Sequence, residues 1–425
     1  MRLTISFASL VLFSATLAFA GQGPINIAGA LANIQSPDRT VAQRSIDELR
    51  GAGSAGLDAL LAVYDKNPDP KLIPAIDAVA GQRGAVVSRL YWYTDLSQAE
   101  AAAKEQAKPI LYLRLMGKLT EEYSCANSRF FRTVLYSNRA VSAMLRERFI
   151  LVWVSERPVP VVTIDYGDGR ILKRTITGNS IHYVLDSNGQ VYDALPGLFG
   201  PVAFEQIVNE AGAVARNGGD MGRTMHLQRA DYAILRQWKQ DVLKINPALL
   251  PVEKKNDADV LSVTNTSAPA AMMLTASKSF VETPLLRAIS PQFAAEMDQS
   301  IDRLDAATWG QVAALHAADA ALDEQSIAVI RDQNPTVYAD PKALEKTVQQ
   351  FQQTIAEDSV RDNFQMRRKV LAWLEQSKTP VALDDLNTRV YSELFLTPRT
   401  DPWLGLLPDG MYTALTNDGC CATPP

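Results

Sequence analysis

At 425 residues, 47% of them hydrophobic, the chain has material for two or three domains with substantial cores. A formal net charge of −5, with no run of Lys and Arg, leaves no electrostatic basis for nucleic-acid binding. Three cysteines, Cys125, Cys420 and Cys421, cannot make a disulfide framework, so packing has to hold the fold.

Residues 1–20 read as a signal peptide. Arg2 is a short basic start, residues 3–17 are apolar, and Ala18-Phe19-Ala20 is a small-x-small cleavage site. The apolar run is shorter than the ~20 residues a spanning helix needs, and no later run is longer. The expectation is a periplasmic or secreted protein with no integral membrane segment after cleavage.

Residues 21–88 have helical spacing: Val41, Ser45, Ile46 and Leu49, then Leu57, Leu60, Leu61 and Tyr64. Ser36-Pro37 reads as an N-cap followed by proline at the first helical position, and Asp69-Pro70 repeats the device. Short helices joined by tight turns suggest one or two units of a HEAT-like stack.

Leu90-Tyr91-Trp92-Tyr93 is a short aromatic strand, and Thr94-Asp95 caps an Ala-rich helix over 96–107. An apolar strand over 110–115 leads through a loop to a helix starting near Cys125, then to a strand over 149–154. A thiol at a helix N-terminus faces unpaired N–H groups and the positive end of the dipole, which favour thiolate. Two alternating runs around Gly167-Asp168-Gly169 predict a β-hairpin over 161–177. A strand over 181–185 turns at Asp186-Ser187-Asn188-Gly189 into 190–194, and Pro201 opens a helix to about 216. Gly218-Gly219-Asp220 marks a boundary. Beyond it, helices over 230–244, 296–331, 341–376 and 384–395 surround a long polar loop at 246–270. The proline-rich stretch 394–412 should pack irregularly on the domain surface, and residues 418–425 form a disordered tail.

This order of elements, with WYTDLSQAEAAAKEQAKPILYL ahead of Cys125, resembles bacterial exported proteins with a thioredoxin fold, over about residues 90–216. The resemblance implies an α+β chain: a thioredoxin-like domain (a mixed sheet flanked by helices, residues 89–217) with an inserted β-hairpin. It lies between mostly helical N- and C-terminal regions, 21–88 and 218–417. It also places the family's redox motif on Cys125-Ala126-Asn127-Ser128. Ser128 stands where the second cysteine would be, Ser124 where a tryptophan is usual, and Ser180 where the family has its cis-proline.

A serine cannot resolve a mixed disulfide. One reading is therefore a monothiol site, with Cys125 exchanging disulfides or trapping another exported protein or thiol, and Arg129 and Arg132 opposing Glu121 and Glu122 around it. The other is a non-catalytic binding or scaffold protein, in which Cys125 is a buried inert thiol. Ser128 as a nucleophile lacks a base placed by sequence. His182 could pair with Cys125, although a hydrogen-bonded structural histidine is the better reading. His226 and His316 stand alone at no metal-ligand spacing, while Asp165, Asp168 and Asp186 are turn residues. No metal or cofactor is expected. Adjacent Cys420 and Cys421 would be strained as a pair, but a mobile tail could carry them to Cys125 or to another chain. N-terminal sequencing of the protein recovered after export is expected to start at Gly21; a chain beginning at Met1 would overturn the leader.

Overall fold

The computed structural model describes residues 26–176, 178–245, 306–377 and 381–404. The leader, the loop at 246–270, residue 177, residues 405–412 and the tail lie outside them.

The N-terminal helices are α1 (Ile27–Asn33), α2 (Arg39–Gly51), α3 (Ser54–Lys66), α4 (Ile73–Ala80) and α5 (Ala85–Ser88). The cap of α2 is Asp38, whose carboxylate accepts from the N–H groups of Thr40 and Val41 at 2.8 and 3.4 Å. It replaces the expected Ser36-Pro37 device, because an aspartate one residue further on reaches two orphan donors. Asp69 does cap as expected, accepting from Lys71 N at the 3₁₀ turn Pro70–Leu72. Leu49, Leu57, Leu60, Leu61, Ile76 and Val79 form a core of their own. At Gly56, α3 runs against the Leu49 carbonyl so closely that a Cβ would collide with it.

This array is fastened to the rest by polar groups. Arg50 donates to the carbonyls of Val79 (2.9 Å) and Trp92 (3.0 Å), and Trp153 Nε1 donates to the Gly81 carbonyl at 2.8 Å. The expected aromatic strand contracts for the same reason. Trp92 N bonds to Ala80 O in the helical array, leaving Tyr93 a single parallel bridge to Val152.

Helix α6 (Leu96–Gln106), capped by Asp95, buries Ala99, Ala102 and Ala103. Strand β1 (Ile110–Leu115) follows, then α7 (Ala126–Phe130), which runs on as a π-helical turn, Phe131–Leu135. Asn138 caps α8 (Arg139–Arg148), which precedes β2 (Ile150–Ser155). Next come β3 (Val161–Asp165), β4 (Ile171–Thr175), β5 (Ser180–Leu185) and β6 (Val191–Pro196). The main sheet has the order β2-β1-β5-β6: β2 is parallel to β1, β5 antiparallel to β1, and β6 antiparallel to β5. Every residue of β1, β5 and β6 is buried, as expected of strands covered on both faces. Strands β3 and β4 form a separate hairpin at the expected place.

Helix α9 (Pro201–Asn217) is followed after one residue by α10 (Gly219–Ile245). The glycine pair is thus a bend between two helices that pack on each other and on the sheet. Helix α11 (Ala306–Leu315), a 3₁₀ turn (Ala317–Ala320) and α12 (Glu324–Gln333) replace the continuous helix expected up to residue 331. Helix α13 (Pro341–Arg361) continues without a break through a π-helical stretch, Asp362–Arg367, into α14 (Arg368–Gln376). Last is α15 (Leu383–Arg389), with its own π-helical end, Val390–Leu394. Trp309, Ile355, Leu371, Tyr391, Phe395 and Leu404 join Leu113, Tyr183 and Val184 in one apolar core. The sheet and the C-terminal helices therefore share an interior. No described helix is long and apolar enough to cross a membrane.

A buried ion pair ties that interior together. Asp193 of β6 receives Arg367 Nε and Nη2 at 3.1 and 2.7 Å, with His226 Nε2 at 2.8 Å. Burial alone would raise its carboxyl, but Arg367 and His226 outweigh it and hold the group at about 2. That stability is present above the unfolded value near 3.8 and is lost as pH falls through about 2. Arg367→Met, which strands the carboxylate, is expected to cost about 3–5 kcal/mol in urea unfolding at pH 7. A loss below about 1 kcal/mol would show that the pair does not hold the π-helical stretch between α13 and α14 to the sheet.

Candidate functional site

The loop after β1 delivers Ser124 and Cys125 to the start of α7. Gly117 has φ +75°, and a Cβ there would crowd Val159 and the Ser124 Cα at 3.2 and 3.3 Å. Cys125 occupies the N-cap of α7, where the sequence puts it, but the side chain is 0% exposed. Ser124, Asn127 and Ser128 are equally buried. The motif is a sealed interior turn, and the exposed thiol required by the monothiol reading is not there.

Its polar groups bond inward. Ser128 Oγ donates to the Cys125 carbonyl (3.2 Å) and shares a hydrogen bond with Ser124 Oγ. Asn127 Nδ2 donates to Ser180 Oγ at 2.8 Å, so the first residue of β5 touches the motif. Asn127 Oδ1 is buried with no hydrogen-bond partner, a desolvation cost of about 1–3 kcal/mol.

Two arginines brace the turn. Arg129 Nη1 donates to Thr175 Oγ1 at the end of β4 (2.7 Å) and to the Ser124 carbonyl (3.4 Å). Arg132 donates to Ser124 Oγ (2.9 Å) and to the carbonyls of Leu119 and Ser128 (both 3.3 Å). Burial, then the charge of Arg83, lowers Arg132 to about 10, with Glu122 and Cys125 acting the other way. Glu121 and Glu122 turn outward to Lys118 (3.0 Å) and Arg83 (2.6 Å). Tyr391, from the C-terminal π-helical turn, is buried near enough to Cys125 that a thiolate there would hinder its ionisation. Its hydroxyl donates to the Asn179 carbonyl at 3.3 Å, and Asn179 Nδ2 donates to Thr397 Oγ1 at 3.0 Å.

His182 is a structural histidine. Its Nε2 bonds the Tyr136 hydroxyl at 2.7 Å, and Phe131 and Phe204 close edge-on around the ring. Burial pushes it down to about 3, so it stays neutral.

The sequence left Glu156 unread and took His316 to stand alone, yet each is the centre of a polar cluster. Glu156, just past β2, receives Arg114 Nε (2.8 Å), Asn387 Nδ2 (2.8 Å) and Arg399. Burial works against its charge, but Arg399, Arg114 and Asn387 lower it below the usual carboxylate value. An arginine inside the buried run ILYLRL was the available signal, since such a charge needs a partner. The second centre is His316, held by Asp241 (Nε2, 2.7 Å) and Asp319 (Nδ1, 3.0 Å) beside a cleft walled by Trp238, Phe364 and Phe199. The hydrogen bond with Asp319 comes first among the causes that raise it. With both ring nitrogens engaged, it has no lone pair for a substrate or metal. Among the described residues, no group of three or more His, Cys, Asp or Glu could hold a metal ion.

No protein-family description, no curated protein and no solved structure matches the chain.

A buried neutral histidine makes stability depend on pH. His182's folded value lies below the unfolded 6.5, so its contribution is intact above 6.5 and declines as pH falls towards about 3. Urea unfolding between pH 6 and 4 is expected to weaken by an extra ~1.4 kcal/mol per pH unit, a component missing from His182→Gln. Equal slopes in the two proteins would mean that the ring takes up its proton inside the fold.

Proposed function

We propose that residues 90–216 form a thioredoxin-like domain and that the chain is an exported, non-catalytic binding or scaffold protein, its fold a platform for the helical flanks. The fold reading is supported by the strand sequence from Tyr93 through β2, β1, β5 and β6, with the last two antiparallel. It is also supported by a helix headed by Cys125 directly after β1, and by Ser180 opposite that motif. Export rests on the leader-like residues 1–20.

One observation carries the non-catalytic reading: Cys125 and Ser128 have no exposed surface. Disulfide exchange requires a thiolate to approach the partner's sulfur directly, and a serine cannot complete the cycle. The arginines that could have stabilised a thiolate hold loop carbonyls and hydroxyls. The motif then serves as a turn that packs, its cysteine a small apolar residue.

The test uses a chain with Cys420→Ser and Cys421→Ser, leaving Cys125 the sole thiol. Iodoacetamide is expected to modify the native protein at least about 100-fold more slowly than the urea-unfolded one, since reaction has to wait for opening. Insulin reduction should be absent. Cys125→Ser is expected to cost about 1–3 kcal/mol, because it buries a hydroxyl in place of a thiol. A native thiol that alkylates as fast as the unfolded one, with Cys125→Ser neutral for stability, would overturn the reading in favour of a monothiol site.

A further inference from the structure

The β3–β4 hairpin is unlike the rest of the sheet structure. Among the described residues it pairs with no third strand, and its apolar residues stay accessible: Val161 is 46%, Tyr166 54% and Ile171 59% exposed. Val162, Ile164 and Leu172 share one face and are only half-buried, outside the molecular core. An isolated two-stranded ribbon is marginal in water, and an unpaired edge is a template for another strand.

The ladder shows which groups point outward. Tyr166 N donates to Arg170 O at 3.1 Å, so Ile164 with Leu172 and Val162 with Arg174 are the hydrogen-bonded pairs. Val161, Thr163 and Asp165 therefore direct N–H and C=O away from β4, and Ile171, Lys173 and Thr175 direct theirs away from β3. The two edges differ in chemistry. On β4 the centre of the edge is Lys173, a residue that discourages pairing with a like strand. The β3 edge has neither lysine, arginine nor proline within it, and four β-branched residues stand in a row from Val161 to Ile164.

We propose that two copies of the chain pair through β3, antiparallel about a two-fold axis at Thr163, to give a four-stranded β4-β3-β3-β4 sheet. In this register Thr163 faces Thr163 of the second copy as a hydrogen-bonded pair. Val161 faces Asp165, and Val162 faces Ile164. No like charges oppose each other, whereas pairing through β4 about its own centre would set Lys173 against Lys173. Val162, Ile164 and Leu172 of both copies then line one continuous apolar face. A second copy is favoured because the axis sets the uncharged Thr163 against itself, opposes Val162 to Ile164, and brings the half-buried apolar residues of both hairpins onto one face. The proposal is independent of whether Cys125 reacts.

Sedimentation equilibrium of the purified protein at micromolar concentration tests it. The wild type is expected to be a dimer. Thr163→Pro removes an outward N–H at the centre of the contact but no ladder bond of the hairpin itself, and should weaken dimerisation by about tenfold or more. Lys173→Pro, the same change on the other edge, should leave it intact. A monomeric wild type, a dimer insensitive to Thr163→Pro, or equal loss in both variants would overturn the proposal; the first would leave the edge to a different protein. Thr163→Cys, with Cys420 and Cys421 changed to Ser, gives a readout that does not rely on proline. Facing residues of a hydrogen-bonded pair lie about 5.5 Å apart at Cα, within disulfide range, so oxidation should yield a covalent dimer. Failure to cross-link would also count against the axis.

Discussion

Glu156 is the group on which the arrangement around the motif depends. It stands at the end of β2 with its side chain 1% exposed, where an uncompensated carboxylate would be prohibitive. One cation comes from within the sheet, Arg114 on the neighbouring β1. The remaining partners, Arg399 and Asn387, arrive from the far end of the chain. Once the C-terminal segment is drawn to that charge, Arg157 holds it by the carbonyls of Pro398, Asp401 and Pro402 at 3.3, 2.9 and 3.1 Å. Thr397 and Tyr391 are then set against Asn179, beside the motif turn. A buried pair of this kind adds little net stability over a well-packed apolar pair, yet it is costly to break. Its effect is to fix where the segment lies.

Asp193 repeats the logic on the opposite edge of the sheet. Its ion pair with Arg367 joins β6 to the π-helical stretch between α13 and α14, and His226 brings in α10. Both buried carboxylates thus recruit an arginine distant in sequence, Arg399 from a C-terminal turn and Arg367 from the π-helical stretch. This explains how the sheet and the C-terminal helices come to share one interior despite the glycine pair between α9 and α10.

What was legible in the sequence was local. The alternation around Gly167 and Gly169, the apolar runs of β1, β2 and β5, the caps at Asp69 and Asp95, and the unbroken stretch from residue 341 to 376 rest on contacts within a few residues. The position of Cys125 at a helix start, and of Ser180 opposite it, was legible through the order of elements. Its burial was not. Nothing near Cys125 in sequence announces that burial, and Arg129 and Arg132 read equally well as thiolate partners or as loop braces. The strand at 90–93 failed for a related reason: its residues are good strand formers, but Trp92 takes its backbone partner from α4. The Ser36-Pro37 cap failed more simply, because a stronger acceptor lay two residues on.

The distance in sequence between Glu156 and its C-terminal partners has a consequence for how the chain matures. Arg399 and Glu156 are 243 residues apart, and Tyr391 and Asn179 212. Contacts of such separation close large loops, and they form slowly. During synthesis from the N-terminal end, the strands of the sheet are present long before the segment that neutralises Glu156. Until that segment arrives the carboxylate must stay hydrated. The chain therefore passes through an interval in which the end of β2 cannot be buried, and that interval closes only when the last described residues have docked.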